Sequence, residues 1–126
     1  MMDDFTYSPP QDPLCVLYVD RDIIVIDKPS GLLSVPGRGE DKYDSAYARI
    51  LKEYPLAQVV HRLDMDTSGV MVFGLRRKAE RQLRMQFQQR TVHKEYWAYV
   101  EGEMPQQEGV ICASIKPDPN RALRHM

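Results

Sequence analysis

Residues 70–75 read Val-Met-Val-Phe-Gly-Leu and are apolar throughout. A segment with two apolar faces predicts a central strand, so the chain must build a sheet around it. The residues before it supply neighbours. Cys15 to Val19 is apolar and β-prone, Asp20-Arg21-Asp22 is a turn, and Ile23 to Ile26 is β-branched, which together predict a hairpin. Pro29 has no N–H to continue a ladder and ends the second strand. Leu32 to Val35 reads as a short extended piece and Pro36 to Gly39 as a loop.

Two helices are predicted. Asp44 or Ser45 caps one that runs to about Tyr54, with Ala46, Ile50 and Leu51 on one face and Pro55 beyond its end. The other covers residues 77–90. Its Ala79, Leu83 and Phe87 recur every four residues as a buried stripe, while Arg77, Arg81 and Arg84 share an exposed face. Arg76 stands where a capping Ser, Thr or Asp is favoured, so this helix start is weaker than its interior. Val59 to Leu63 reads as a short strand and Asp64 to Gly69 as a polar turn. Val92 to Val100 alternates, with Tyr96 on one face and Trp97 on the other, which predicts a strand with two distinct faces. Gly109 to Ile115 reads as a last strand. The order predicts an α+β fold with a mixed, largely antiparallel sheet and flanking helices, not a βαβ series.

A length of 126 residues with 43% apolar and 28% charged residues fits one globular domain. Residues 1–13 form a proline-rich arm, with Pro9, Pro10 and Pro13, ahead of a body at 14–126. No run approaches a membrane span, and the acidic start, Met1-Met2-Asp3-Asp4, does not read as a secretory signal. Cys15 and Cys112 lie in apolar strand-like runs, which predicts buried, reduced thiols and a cytoplasmic protein. Net charge is −1, but residues 76–90 hold six Lys/Arg against Glu80 alone. That face suits either a polyanionic partner or plain solvation.

Several chemistries are excluded. Gly37-Arg38-Gly39 lacks the third glycine and the helix of a dinucleotide site, and no phosphate loop or nucleophile elbow occurs. The three histidines (His61, His93, His125) and two cysteines lack metal-ligand spacing, so no metal is expected.

The informative segment is His61-Arg62-Leu63-Asp64-Met65-Asp66-Thr67-Ser68-Gly69. An acid at a strand mouth is held rigidly yet reaches solvent. Arg62 and Asp64 project to one side if the chain stays extended, and a nearby guanidinium favours the ionised carboxylate used in nucleophilic or general-base catalysis. Residues alone leave a second reading open, in which Asp64 caps the turn. Tyr96 likewise reads either as a pocket aromatic or as a plain core aromatic.

This segment resembles the H-R-L-D-x-D-T-S-G signature of the RluA-type family of RNA pseudouridine synthases. Asp27-Lys28-Pro29-Ser30-Gly31-Leu32 is similar to that family's early K-P-x-G-L motif. Lys78 to Phe87 is similar to its following helix, and Lys94 to Gly102 to its K-x-Y-x-A-x-V-x-G strand. The match covers residues 14–120. The arm and Ser34 to Arg38 look most like the RluA subgroup, which acts on ribosomal and transfer RNA. The resemblance implies a pseudouridine synthase catalytic domain that isomerises uridines in structured RNA without a cofactor. It also implies Asp64 as the catalytic carboxylate, Arg62 as the base-displacing and charge-partner residue, and Tyr96 as the aromatic against the everted uracil. Arg77, Arg81 and Arg84 would then meet RNA phosphates, with Lys28 and Arg38 as lesser candidates.

Met65 replaces the family's more frequent lysine. Family members also continue further, and supply a later arginine for the catalytic acid. The chain is therefore expected to be the N-terminal part of a larger catalytic domain, weakly active or inactive alone, and self-associating through an open sheet edge. Two other activities stay in view. One is a non-catalytic RNA-binding module. The other is a carboxylate hydrolase with Asp66 as its second acid.

Overall fold

The computed structural model describes residues 5–111. Its centre is a four-stranded sheet in the order β1-β2-β4-β3, formed by β1 (Cys15–Val19), β2 (Ile23–Lys28), β3 (Gln58–Val59) and β4 (Gly69–Gly74). All three pairings are antiparallel. As predicted, the apolar segment is central: β4 pairs along its whole length with β2, from Ile23 opposite Gly74 to Lys28 opposite Gly69.

Local chemistry closes the hairpin. Asp20 Oδ1 accepts the backbone N–H groups of Asp22 and Ile23 at 2.8 and 2.9 Å, while Tyr18 donates its hydroxyl to Oδ2 at 2.7 Å. An aspartate that takes up its own turn's donors fixes where the second strand begins.

The sheet's two faces are covered unequally. Ile24 and Ile26 of β2 stand opposite Phe73 and Met71 of β4, and all four are buried. Over them lies α1 (Ala46–Leu51), whose Ala46 and Ile50 complete the core with Leu32, Ala57, Leu63 and Leu75. Tyr47 stacks on Phe73 with ring centroids 6.1 Å apart and donates its hydroxyl to Ala57 O. Ser45 caps the helix as predicted, its Oγ accepting the Ala48 N–H at 3.0 Å. The other face carries α2 (Arg77–Gln88). Its apolar stripe is half-buried rather than enclosed, and Val70 on the same sheet face remains 64% exposed. Gly74 lets the helix approach: a Cβ there would sit 2.9 Å from Glu80 Cα.

The arm docks on the body. Tyr7 donates its hydroxyl to Asp44 O and accepts the Leu33 N–H, and Arg49 reaches Pro10 O and Asp12 O.

Four expectations are corrected. The strand expected at 59–63 stops at Val59 because side chains take over the pairing: His61 Nε2 accepts the Val72 N–H, and Ser34 Oγ bonds both the N–H and the carbonyl of Leu63. Cys15 is exposed, on a β1 strand that lies at the edge of the described sheet and is exposed along its length; Cys112 lies outside the described residues. Residues 92–100 form no strand, and Trp97 is 94% exposed. Alternation creates two faces, but a strand also needs a neighbour for its N–H and C=O groups, and none of the described strands lies alongside. Residues 109–111 likewise carry no strand, and 112–115 lie outside the described residues.

Candidate active site

The segment after β3 alternates strictly. Leu63 and Met65 are buried, while Arg62, Asp64 and Asp66 are exposed. Leu63 joins the main core, and Met65 packs with Tyr7 and Leu33 in a second cluster. Two inward anchors therefore flank one outward carboxylate. The Thr67 N–H bonds Asp64 O at 3.0 Å and closes the turn.

A second loop, residues 28–34, clamps this one from behind. The Gly31 N–H donates to Met65 O at 2.8 Å, with Gly31 at φ +93°, a conformation that suits glycine. Ser30 Oγ donates to Asp66 O at 2.8 Å. Lys28 sits wholly inside, its Nζ donating to the carbonyls of Pro29, Leu32 and Met65 at 2.9, 2.6 and 3.1 Å. Burial pulls its pKa down to about 8, and the carboxylates of Asp66 and Asp64 act against that fall. Three donors meeting three carbonyls satisfy the ammonium group completely. The expectation that Lys28 meets RNA phosphate is thereby corrected: its amine faces away from solvent and holds the Asp64 loop.

His61 anchors the near end. Its ring stacks on Phe87 of α2, with centroids 4.6 Å apart, and its Nε2 accepts the Val72 N–H at 3.0 Å. Burial, then the Lys94 charge, lowers its pKa. Lys94 itself lies over the Phe87 ring, 5.5 Å from its centroid. Sequence reasoning placed His61 at the head of the motif and set it aside as a metal ligand, but missed this packing role.

The remaining predicted residues divide. Arg62 and Asp64 share the solvent side, but no ion pair joins them. Tyr96 is 62% exposed and touches no other described residue by hydrogen bond or ring contact. Arg84 is engaged, by Glu80 at 2.6 Å and by Val59 O at 3.0 Å. Arg38, Arg77 and Arg81 are exposed, and none forms an ion pair with a described residue. Among the described residues, no three His, Cys, Asp or Glu side chains gather as metal ligands would. No helix there is long and apolar enough to cross a membrane.

Comparison with known proteins adds the family. Residues 22–126 match the RNA pseudouridylate synthase family. The chain is 49% identical over 120 residues to the dual-specificity RNA pseudouridine synthase RluA of Vibrio parahaemolyticus, covering 94% of this chain and 48% of that protein. It is 51% identical over 117 residues to the protein of the same name from Escherichia coli K12, covering 91% and 53%. The chain thus spans about half the length of the curated relatives it matches. The solved structure of human RNA pseudouridylate synthase domain containing 1 shares the fold. Its TM-score is 0.50 at 24% identity, over 66% of this chain and 31% of that one. A motif-bearing loop clamped over an antiparallel sheet and a family match over most of the sequence lead to one assignment: the chain belongs to the RNA pseudouridylate synthase family.

Proposed function

We propose that this chain supplies the catalytic aspartate of an enzyme that isomerises uridine to pseudouridine in structured ribosomal or transfer RNA. In that reaction the N1–C1′ bond breaks and a C5–C1′ bond forms. N1 gains a proton and C5 loses one, so nothing is oxidised or reduced. The work of the protein is to extrude the base, position it, and present a carboxylate to the ribose. Asp64 is assigned that carboxylate. The observation carrying the assignment is its setting: an exposed acid between two buried neighbours, on a loop that Lys28, Gly31 and Ser34 hold in place.

Arg62, on the same outward side, is assigned to displace the target base. Tyr96 is assigned to stack on the extruded uracil. It lies two residues from Lys94, which sits over Phe87, the ring that His61 stacks on. Arg38, Arg77 and Arg81 are assigned to phosphates. The reaction is assigned to the cytoplasm.

Turnover is assigned to this chain joined to the remaining half that its relatives possess. The chain alone is expected to turn over weakly or not at all, with β1, Trp97 and Tyr99 covered by self-association. A chimaera of this chain with the second half of the Vibrio relative tests the proposal. Release of tritium from RNA stem-loops labelled at uridine C5 supports it. A folded chimaera that binds RNA but releases no tritium contradicts it.

A further inference from the structure

A groove with three cations lies at the other end of the sheet from Asp64. The β1–β2 turn leans against the start of α2, fastened by the Leu75 N–H bonding Asp22 O at 2.8 Å. Between them opens a groove of about 450 Å³, lined by Arg21 and Asp22 from the turn, by Arg76 just before α2, and by Lys78, Gln82 and Gln86 from the helix. Two segments more than fifty residues apart thus bring three cations to one concavity.

The groove's negative charge is limited. Asp22 is the one carboxylate in the lining, and Arg76 pairs with it at 3.4 Å. The neighbouring Asp20 is turned into its own turn, its oxygens taken by two backbone N–H groups and the Tyr18 hydroxyl. Among the described residues neither Arg21 nor Lys78 has an ion-pair partner. Gln82 and Gln86 add neutral amide donors. Like charges held together on a rigid turn and a helix repel each other until an anion arrives.

We propose that this groove binds the phosphate backbone of the RNA substrate, at a distance from the reacting uridine. The inference rests on the RNA reading above and adds a contact surface to it. The register puts Ile23 and Lys28 at opposite ends of β2, roughly 17 Å apart at the usual strand rise. One folded RNA stem-loop can therefore offer its target nucleotide at the Asp64 end and phosphates of its stem at the groove. Phosphate contacts of this kind fix register and orientation and carry no sequence information. Chemically, the site takes an unspecific polyanion: two cations free to engage, a third shared with Asp22, and amides to bond non-bridging oxygens.

The test is a binding titration of the full chain with a fluorescein-labelled RNA stem-loop at several salt concentrations. Three proteins are compared: the parent, the double variant Arg21→Gln with Lys78→Gln, and a charge-matched control, Lys42→Gln with Lys52→Gln. Circular dichroism melts check that each is folded. The groove variant is expected to bind at least about fivefold more weakly, with a log–log salt slope shallower by about 1.5 to 2, while the control stays near the parent. Equal affinity and slope for groove variant and parent, or equal losses in groove and control variants, overturn the groove. Absence of RNA binding by the parent overturns the RNA reading itself and the groove with it.

Discussion

Lys28 carries an unusual burden for a lysine. It is enclosed among three carbonyls drawn from its own loop and from Met65, and its burial is tolerated because all three donors are used. Replacing it by methionine keeps the volume but strands the carbonyls of Pro29 and Leu32, while Met65 O keeps the Gly31 N–H. Lys28→Met is expected to lower stability by about 2–4 kcal/mol in urea unfolding, since each orphaned buried acceptor costs about 1–3 kcal/mol and the relieved desolvation of the ammonium offsets part of the sum. An unchanged midpoint would show that the loop is held by other bonds. His61 makes a different statement. Folded, its pKa lies below the ordinary 6.5, so the unfolded chain takes up a proton that the native ring resists. Stability from this residue is present above about pH 6.5 and is lost as pH falls below it. Urea unfolding at about pH 7.5 and about pH 5.5 is expected to show this loss, and His61→Gln is expected to reduce it.

At the scale of elements, α2 and β4 meet because Gly74 leaves room for Glu80. Gly74→Ala is expected to push the helix outward and to cost about 1–3 kcal/mol, read as a lower thermal midpoint. Ser45→Ala removes the bond to the Ala48 N–H and is expected to cost about 1 kcal/mol by the same measurement. These elements also mark how far sequence reading reaches. The hairpin at Asp20, the cap at Ser45 and the central β4 are written in local patterns and stand where they are expected, whereas the α2 stripe, expected to be buried, is only half-buried. Val92 to Val100 has the alternation of a strand, yet alternation specifies faces and not a partner. Leu63 looked like the end of a strand, but the serine that replaces strand pairing lies 29 residues away. Lys28 reads as a surface cation in its own segment, because the carbonyl of Met65 that helps bury it comes from 37 residues on. At the site, the outward placement of Asp64 beside Arg62 is legible from their two-residue spacing. The groove at Arg21 was not, since only the fold brings that turn to α2.

Across the whole molecule, apolar surface is distributed unevenly. One face of the sheet is sealed by α1, while Val16, Leu17, Tyr18, Val19, Trp97, Tyr99 and Val110 stand exposed. Apolar surface of this kind, beside a β1 edge that no other described strand pairs with, favours association. Sedimentation velocity is expected to show a mass that rises with protein concentration, and a constant monomer mass over that range would contradict this. The account as a whole turns on Asp64. The measurement that tests it most directly compares tritium release from C5-labelled uridine RNA by the chimaera and by its Asp64→Asn variant, with RNA affinity measured alongside. Loss of release with affinity nearly unchanged is the predicted result. Release by the variant within about tenfold of the parent rate contradicts it, because a residue that carries the chemistry accounts for far more than a single decade of rate.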